Sequence, residues 1–141
     1  MKPGGGRAKG ATGERELAAI LTHWASQIGM ATKLERNLEQ ARGGGHDLTG
    51  LECYGMAVEV KRVEALAIGS WWAQAVRQAK SAGDLIPVLA WRQNRKPWRF
   101  RVRTWVWPAK VLIDADLELD QFKPWFQAQL GQYKEQADDS S

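Results

Sequence analysis

Apolar side chains in the N-terminal part of the chain recur at the spacing of a single helical face. The positions that share this face are Leu17, Ile20, Leu21, Trp24 and Ile28. They predict a helix from residue 12 or 13 to Ile28, which Gly29 ends. Glu14 lies one turn before Leu17, so its carboxyl should face the protein interior. An acid in the first turn of a helix also has a simpler explanation, because it suits the helix dipole.

A second pattern, the alternation of apolar and charged residues, predicts a strand over residues 56–62. Glu59 and Lys61 are two residues apart in it, so their side chains project from the same face. A carboxylate beside an ammonium group can be a plain ion pair. It can also form half of a metal site in which the carboxylate holds a hard cation.

The remaining elements follow from the same two patterns and from turn residues. Further strands are predicted at residues 30–36, 47–51, 86–91 and 98–105. A second helix is predicted at residues 71–82, with Ser70 as its N-cap and Gly83 after its end. The glycine-rich stretch 37–46 should be a loop, which is either simply mobile or able to approach a phosphate closely.

Both ends of the chain are predicted to lie outside the main domain. Residues 1–11, rich in glycine and basic side chains, should form a flexible basic arm. The domain proper should span residues 12–112. Residues 113–141 should form an acidic extension with one short apolar-faced helix and a disordered end from residue 135. The apolar positions of that helix are Phe122, Trp125, Phe126 and Leu130.

The predicted strand at residues 98–105 carries three arginines on one face. Arg99, Arg101 and Arg103 alternate with apolar residues, and such a row repels itself unless anions lie nearby. Acids from other elements could supply those anions, or DNA phosphates could. We favour phosphates slightly because of the charge of the chain.

Charge is distributed unevenly along the 141 residues. Residues 1–112 hold 18 Lys and Arg against 9 Asp and Glu, a net of +9, whereas residues 113–141 hold 2 against 7, a net of −5. A basic body indicates a polyanionic partner, most simply nucleic acid. A soluble basic protein without such a partner is the alternative.

Composition narrows the class of protein further. The length and the 44% hydrophobic content fit one domain with a core. Cys53 is the single cysteine, so no intramolecular disulfide can form, and a reducing, cytoplasmic location is expected. We see no apolar run long enough to span a membrane and no secretory signal, so no membrane partner is expected.

Four chemically active side chains should converge in the predicted fold: Glu14, Asp47, Glu59 and Lys61. Three carboxylates placed together repel one another and would take up protons unless a cation neutralised them. Oxygen ligands of this kind select Mg²⁺ or Mn²⁺. The two histidines are not spaced as a metal-binding pair, which disfavours zinc.

The pattern D-(x)11-E-x-K, with a glutamate on a helix in front of it, resembles the PD-(D/E)XK nucleases. The stretches GRAKGATGERELAAIL, GGGHDL and AVEVKR resemble the archaeal Holliday junction resolvases and their phage-encoded relatives over about residues 7–103. His46 stands where many members have proline. The resemblance implies an α/β, restriction-endonuclease-like core, in which a mixed central β-sheet is flanked by helices.

The same resemblance implies roles for individual residues. Asp47, Glu59 and the carbonyl of Val60 would bind Mg²⁺, for which Mn²⁺ can substitute, and Glu14 would bind a second metal or its water. Lys61 would orient or activate the attacking water. The basic residues expected at DNA are Arg15, Arg36, Arg42, Arg62, Arg99, Arg101 and Arg103.

The activity implied is that of a Holliday junction resolvase, which acts on branched DNA as a homodimer and leaves 5′-phosphate ends. Two alternatives stay open. The chain could be another PD-(D/E)XK nuclease, restriction-like or nicking, or a non-catalytic nucleic-acid-binding protein. Trp71 and Trp72 could each lie in the core, at a dimer interface or against DNA bases.

Overall fold

The computed structural model describes residues 5–37 and 46–139, with side chains over residues 12–37 and 46–134. Its helices and strands, in chain order, are α1 (Gly5–Gln27), β1 (Glu35–Arg36), β2 (Leu48–Thr49), β3 (Met56–Arg62), α2 (Ile68–Ser81), β4 (Ile86–Arg92), β5 (Arg99–Val106), β6 (Val111–Glu118) and α3 (Leu119–Asp139). A single 3-10 turn at Glu52–Tyr54 leads into β3.

The six strands form one mixed sheet in the order β1-β2-β3-β4-β5-β6. β3 and β4 are parallel and joined through α2, as expected for a crossover connection, and every other neighbouring pair is antiparallel. Helices cover both faces of the sheet. The predicted α/β class, with a mixed central sheet flanked by helices, is confirmed.

The main core lies between the sheet and the two helices α1 and α3. The apolar face of α1 packs there as predicted, since Leu17 and Leu21 are fully buried against Val58 of β3. Aromatic rings join α3 to the sheet, with the Phe100 and Phe122 ring centroids 3.8 Å apart. α2 packs on the opposite face in a second, smaller cluster that includes Trp72, Ala75, Leu89 and Trp91.

The C-terminal part of the chain is integral to this fold and corrects the predicted extension at residues 113–141. β6 runs across the predicted boundary at residue 112 and pairs with β5 along its whole length. α3 extends to Asp139, so the helix is longer than expected and includes part of the tail predicted as disordered. Phe122, Phe126 and Leu130 are fully buried, and this burial of apolar surface explains why the segment folds onto the domain.

The N-terminal helix begins at Gly5, earlier than predicted, which corrects the flexible arm expected over residues 1–11. Residues 1–4 lie outside the described residues. Glycine disfavours helix, but extending a helix that already exists adds one hydrogen bond per residue without a new nucleation cost. Glu14 is therefore not in the first turn, and the helix-dipole interpretation does not apply to it. Gly29 ends the helix region at a φ of 76°, as predicted.

Three other boundaries differ from expectation. β1 covers only two residues of the predicted 30–36 strand, whose mixed polarity offers little to bury. β2 is likewise limited to the centre of the predicted 47–51 strand. α2 begins at Ile68 and not after Ser70, because Ile68 packs against the second cluster and extends the helix by a turn. The described chain contains no helix with both the length and the apolarity to cross a bilayer.

Candidate active site

The register of β2 and β3 brings two of the predicted carboxylates together. Leu48 pairs with Val58, so the preceding residue, Asp47, stands opposite Glu59. The Asp47 N–H donates to the Val58 carbonyl at 2.9 Å, which holds Asp47 against β3 just before β2 begins. Side chains of opposite residues share a face and lie within a few ångströms of each other. Asp47 and Glu59 are both buried there.

The Asp47 carboxylate is fixed by the main chain of β3. Its Oδ2 accepts a hydrogen bond from the Val60 N–H at 2.6 Å. β2 begins at Leu48, so at Val60 a side chain takes the place of a neighbouring strand. The N–H and C=O of one strand residue point to the same edge. The Val60 carbonyl therefore faces the side on which Asp47 lies, which is compatible with its predicted role as a metal ligand.

Glu59 is the most unusual group in the site. Its side chain is 1% exposed, and neither carboxyl oxygen has a hydrogen-bond donor among the described residues. Burial, the largest cause, and the neighbouring Asp47 carboxyl together raise the pKa of Glu59 to about 9, against the opposing charge of Lys61. A buried carboxyl pair of this kind is costly to ionise unless a cation joins it.

Lys61 and Glu14 complete the group that the sequence predicted. Lys61 lies on the same face of β3 as Glu59, and its charge acts on the Glu59 carboxyl. Glu14 reaches the site from α1, where burial raises its pKa and the Asp47 charge adds to that effect. Arg36 opposes both of these effects on the pKa of Glu14, because its Nε donates to Glu14 Oε2 at 2.6 Å. All four predicted side chains are therefore close enough to interact electrostatically.

The close packing of α1 on the end of β3 depends on a glycine. A Cβ added at Gly13 would lie 2.8 Å from the Cβ of Arg62, a distance that real side chains do not adopt. Only glycine lets the helix approach this strand without displacing it. The next residue along the helix is Glu14, so this approach carries its carboxyl towards Asp47.

The oxygen donors that the structure brings closest together are the Asp47 and Glu59 carboxyls. Within residues 12–37 and 46–134, no group of three or more His, Cys, Asp and Glu side chains is arranged to hold a metal ion. Glu14 is committed to Arg36, so Asp47 and Glu59 form a pair and not a trio of carboxylates. Their oxygen chemistry fits a hard divalent cation, and the unpartnered Glu59 oxygens are the groups that such an ion would satisfy.

A hydrogen-bond network next to Asp47 was not anticipated. His46 Nε2 lies 2.5 Å from Glu52 Oε1, and Glu52 Oε2 accepts from the Gly50 N–H at 2.7 Å. These bonds lower the pKa of Glu52, although burial, the largest single effect, opposes them. Asn37 bonds to the carbonyls of His46 and Asp47. Nothing in the sequence pairs His46 with a residue of the following turn, so only the fold shows this contact.

Some of the predicted DNA-binding residues surround the site. Arg15 and Arg36 line a groove of about 730 Å³ between α1 and β1. Arg36 is also the partner of Glu14. Arg62 donates to Asn94 Oδ1 at 2.8 Å. Arg42 lies within residues 38–45, which are outside the described residues.

The arginine row of β5 has acidic partners in the fold. Arg101 makes two hydrogen bonds to Asp116 and Arg103 makes two to Asp114, both acids of β6. Arg99 lies 3.9 Å from Glu118. Of the two sources of anions considered for these arginines, the structure shows the acids of another strand. DNA contact by these three arginines stays a prediction.

The two tryptophans of α2 are now placed. Trp72 is buried beneath the arginine row, with the Arg101 and Arg103 guanidiniums 6.0 Å and 5.8 Å from its ring centroid. Its Nε1 donates to Asp114 at 3.0 Å. Trp71 is half-buried and packs against the same cluster. The sequence could not show these contacts because β6 was not predicted as a strand.

Comparison with known proteins identifies a family for the chain. The family described as "Phage putative PDDEXK endonuclease" matches residues 5–110, which is most of the chain. The chain belongs to this family of PD-(D/E)XK nucleases. Among solved structures, the chain is similar to Archaeoglobus fulgidus Hjc, a Holliday junction resolvase from an archaeal hyperthermophile. The match has 18% identity and a TM-score of 0.49, and it covers 85% of this chain and 97% of that one. No curated protein matches the chain.

Proposed function

We propose that the protein is a metal-dependent, structure-selective DNA endonuclease that hydrolyses phosphodiester bonds in branched DNA, with four-way junctions as its substrate. The observation that carries the proposal is the buried Asp47–Glu59 pair beside Lys61. A fold that needed these acids only for stability would give the Glu59 oxygens a donor. The raised pKa of Glu59 marks a site that gains from a cation.

Asp47, Glu59 and the Val60 carbonyl would hold Mg²⁺, with Mn²⁺ as a substitute. Such an ion, when bound, would make hydroxide available near neutral pH and would neutralise charge on the phosphate. Lys61 is placed to orient the water and to stabilise negative charge on a non-bridging oxygen. Water oxygen then bonds to phosphorus while the bond to the 3′ oxygen breaks, which leaves a 5′-phosphate and a 3′-hydroxyl.

Glu14 has a more indirect role in this scheme. Because it is bonded to Arg36, it can hold that arginine beside the groove in which a phosphate would lie, in addition to its predicted contact with a metal-bound water. Arg15 on the same groove adds a second positive charge. The preference for branched DNA is supported by the likeness of three sequence stretches to the archaeal resolvases, and the protein would act as a homodimer in the host cytoplasm.

The test is cleavage by the wild-type chain of three labelled substrates of matched sequence, with Mg²⁺ and with EDTA. The substrates are a four-way junction, a linear duplex and a single strand. The proposal predicts paired cuts in the junction alone, with 5′-phosphate ends and only when metal is present. Equal cutting of linear or single-stranded DNA would contradict junction selectivity but keep the nuclease. Binding without cutting under Mg²⁺ or Mn²⁺ would contradict both.

A further inference from the structure

The end of the hairpin formed by β5 and β6 is an apolar projection that the nuclease site does not use. Trp107 is 68% exposed and Trp105 is 52% exposed, the largest values among its apolar side chains. The other exposed apolar residues of the projection are Val106, Val111, Leu112 and Ile113. We call these six residues the hairpin tip.

The hairpin tip is apolar on both faces of the sheet. Trp105 pairs with Leu112 and Val106 pairs with Val111, so the two pairs project from opposite faces. Their exposed side chains amount to roughly 500–600 Å² of apolar surface, which is at the upper limit for a monomeric protein. Elsewhere in the described residues, Leu66 is the exposed large apolar side chain, and it lies in the connection between β3 and α2.

We propose that the hairpin tip is where two copies of this chain associate, through antiparallel pairing of their β6 strands. β6 forms one end of the strand order, so its outer edge offers main-chain groups to another strand. Antiparallel pairing of identical strands is self-complementary, as a two-fold interface requires. The exposed area approaches the ~800 Å² per partner of a standard interface.

The charge of the hairpin tip indicates whether a second copy of the chain or DNA would bind there. Lys110, whose ammonium group lies 5.7 Å from the Trp107 ring centroid, is the single charged residue between residues 104 and 113. Surfaces that bind nucleic acid are strongly basic, whereas the centres of protein interfaces are depleted of charge and rich in aromatic residues. The composition of the hairpin tip therefore favours a protein partner.

This pairing deepens the homodimer of the proposed function and would arrange its two sites. The two-fold axis of an antiparallel pair is perpendicular to the sheet, so corresponding faces of both copies lie on the same side. Glu59 of each copy would then face the same side of one continuous sheet. Across that sheet the two β3 strands would be about seven strand spacings apart, roughly 34 Å.

The first test is the molar mass of the full-length chain without DNA or metal, measured by light scattering during gel filtration. The wild-type chain should be a dimer, and the double variant Trp105→Ser, Leu112→Ser should be a monomer with an unchanged circular dichroism spectrum. Leu66→Ser is the matched control and should stay dimeric. A monomeric wild-type chain, or a dimeric double variant, would overturn the proposal.

A second test does not depend on that variant folding. Single cysteines are placed at Val111, Leu112 and Ile113 in a Cys53→Ser background. The cysteine nearest the two-fold axis should form disulfide-linked dimers on mild oxidation, whereas Leu66→Cys should not. No cross-link at any of the three would overturn the proposal. If the wild-type chain is monomeric and Trp107→Ser instead weakens binding to junction DNA, the occupant is DNA. Asp47→Asn should remain dimeric, so loss of nuclease activity and loss of pairing are separate outcomes.

Discussion

Two sets of carboxylates lie on the same face of this sheet, and the fold treats them in opposite ways. At the β6 edge, Asp114 and Asp116 each accept two hydrogen bonds from an arginine of β5. Between β2 and β3, Asp47 and Glu59 face each other, and no described residue donates to Glu59. The same sheet therefore contains acids that are paired with arginines and a buried carboxyl, Glu59, that has no hydrogen-bond donor among the described residues.

The difference shows what each set contributes. The Arg103 guanidinium lowers the pKa of Asp114, and this pair is partly exposed, so it should be worth little to stability. Burial raises the pKa of Glu59 instead, so its ionised form opposes folding. A protein retains such a cost where the group has a function. We therefore expect the β3 carboxyl to act in catalysis and the β6 carboxylates to have a structural role.

The largest effect should come from Lys61→Ala. Without the ammonium group that stabilises negative charge on the phosphate, the cleavage rate should fall about 10³-fold or more. Junction affinity, measured by fluorescence anisotropy in Ca²⁺, should change by less than about threefold, because the other basic residues remain. Lys123→Ala on α3 is the matched control and should cut normally. Normal cleavage by Lys61→Ala would exclude the proposed role.

The next largest effect concerns stability and pH. The folded-state pKa of Glu59, about 9, lies above that of an unfolded glutamate, so the folded state binds more protons between those two values. Without metal, stability should therefore fall as pH rises from about 4.5 to 9. Glu59→Gln should reduce this slope and be more stable than wild type at pH 8.5 by roughly 1–3 kcal/mol. Denaturant unfolding in EDTA at several pH values measures the slope and the difference in stability. If Glu59→Gln were less stable than wild type at pH 8.5, the predicted cost of the ionised Glu59 carboxyl would be contradicted.

Metal should narrow this difference in stability between Glu59→Gln and the wild-type chain. At pH 8, a divalent ion at ten times its dissociation constant should stabilise the wild-type chain by about 1.4 kcal/mol. Glu59→Gln should gain much less, because the ion loses a charged ligand. Thermal unfolding with Ca²⁺, Mg²⁺ and EDTA compares the two. Equal stabilisation of the wild-type and Glu59→Gln chains would show that the metal does not bind at Glu59.

The smallest effect should come from Asp116→Asn. It removes a partly exposed ion pair with Arg101, so the free energy of unfolding should fall by less than about 1 kcal/mol, and less still at high salt. The dependence of stability on pH above 6 should match that of the wild-type chain. A loss of several kcal/mol would show that the β6 acids carry more of the fold than their exposure indicates.

The sequence predicted the proximity of Asp47, Glu59 and Lys61 better than it predicted the edge of the sheet. β3 and the common face of Glu59 and Lys61 follow from local alternation, and the site was identified because its residue types match a known motif. β6 was missed because its partner strand and its salt bridges lie in long-range pairing, which periodicity does not reveal. The His46–Glu52 contact was missed for a similar reason, since it depends on how a 3-10 turn folds back.

The most direct measurement is cleavage of one labelled four-way junction by Asp47→Asn and Asp116→Asn side by side, each with Mg²⁺ and with EDTA. Both changes convert one aspartate of the same sheet into asparagine. They differ in surroundings, because Asp116 pairs with an arginine of β5 and Asp47 faces the buried Glu59 carboxyl. We predict that Asp47→Asn binds the junction and does not cut it, while Asp116→Asn cuts within about threefold of the wild-type rate. Cutting by Asp47→Asn, or equal loss of cutting in both variants, would contradict the assignment of the active site to the Asp47–Glu59 pair.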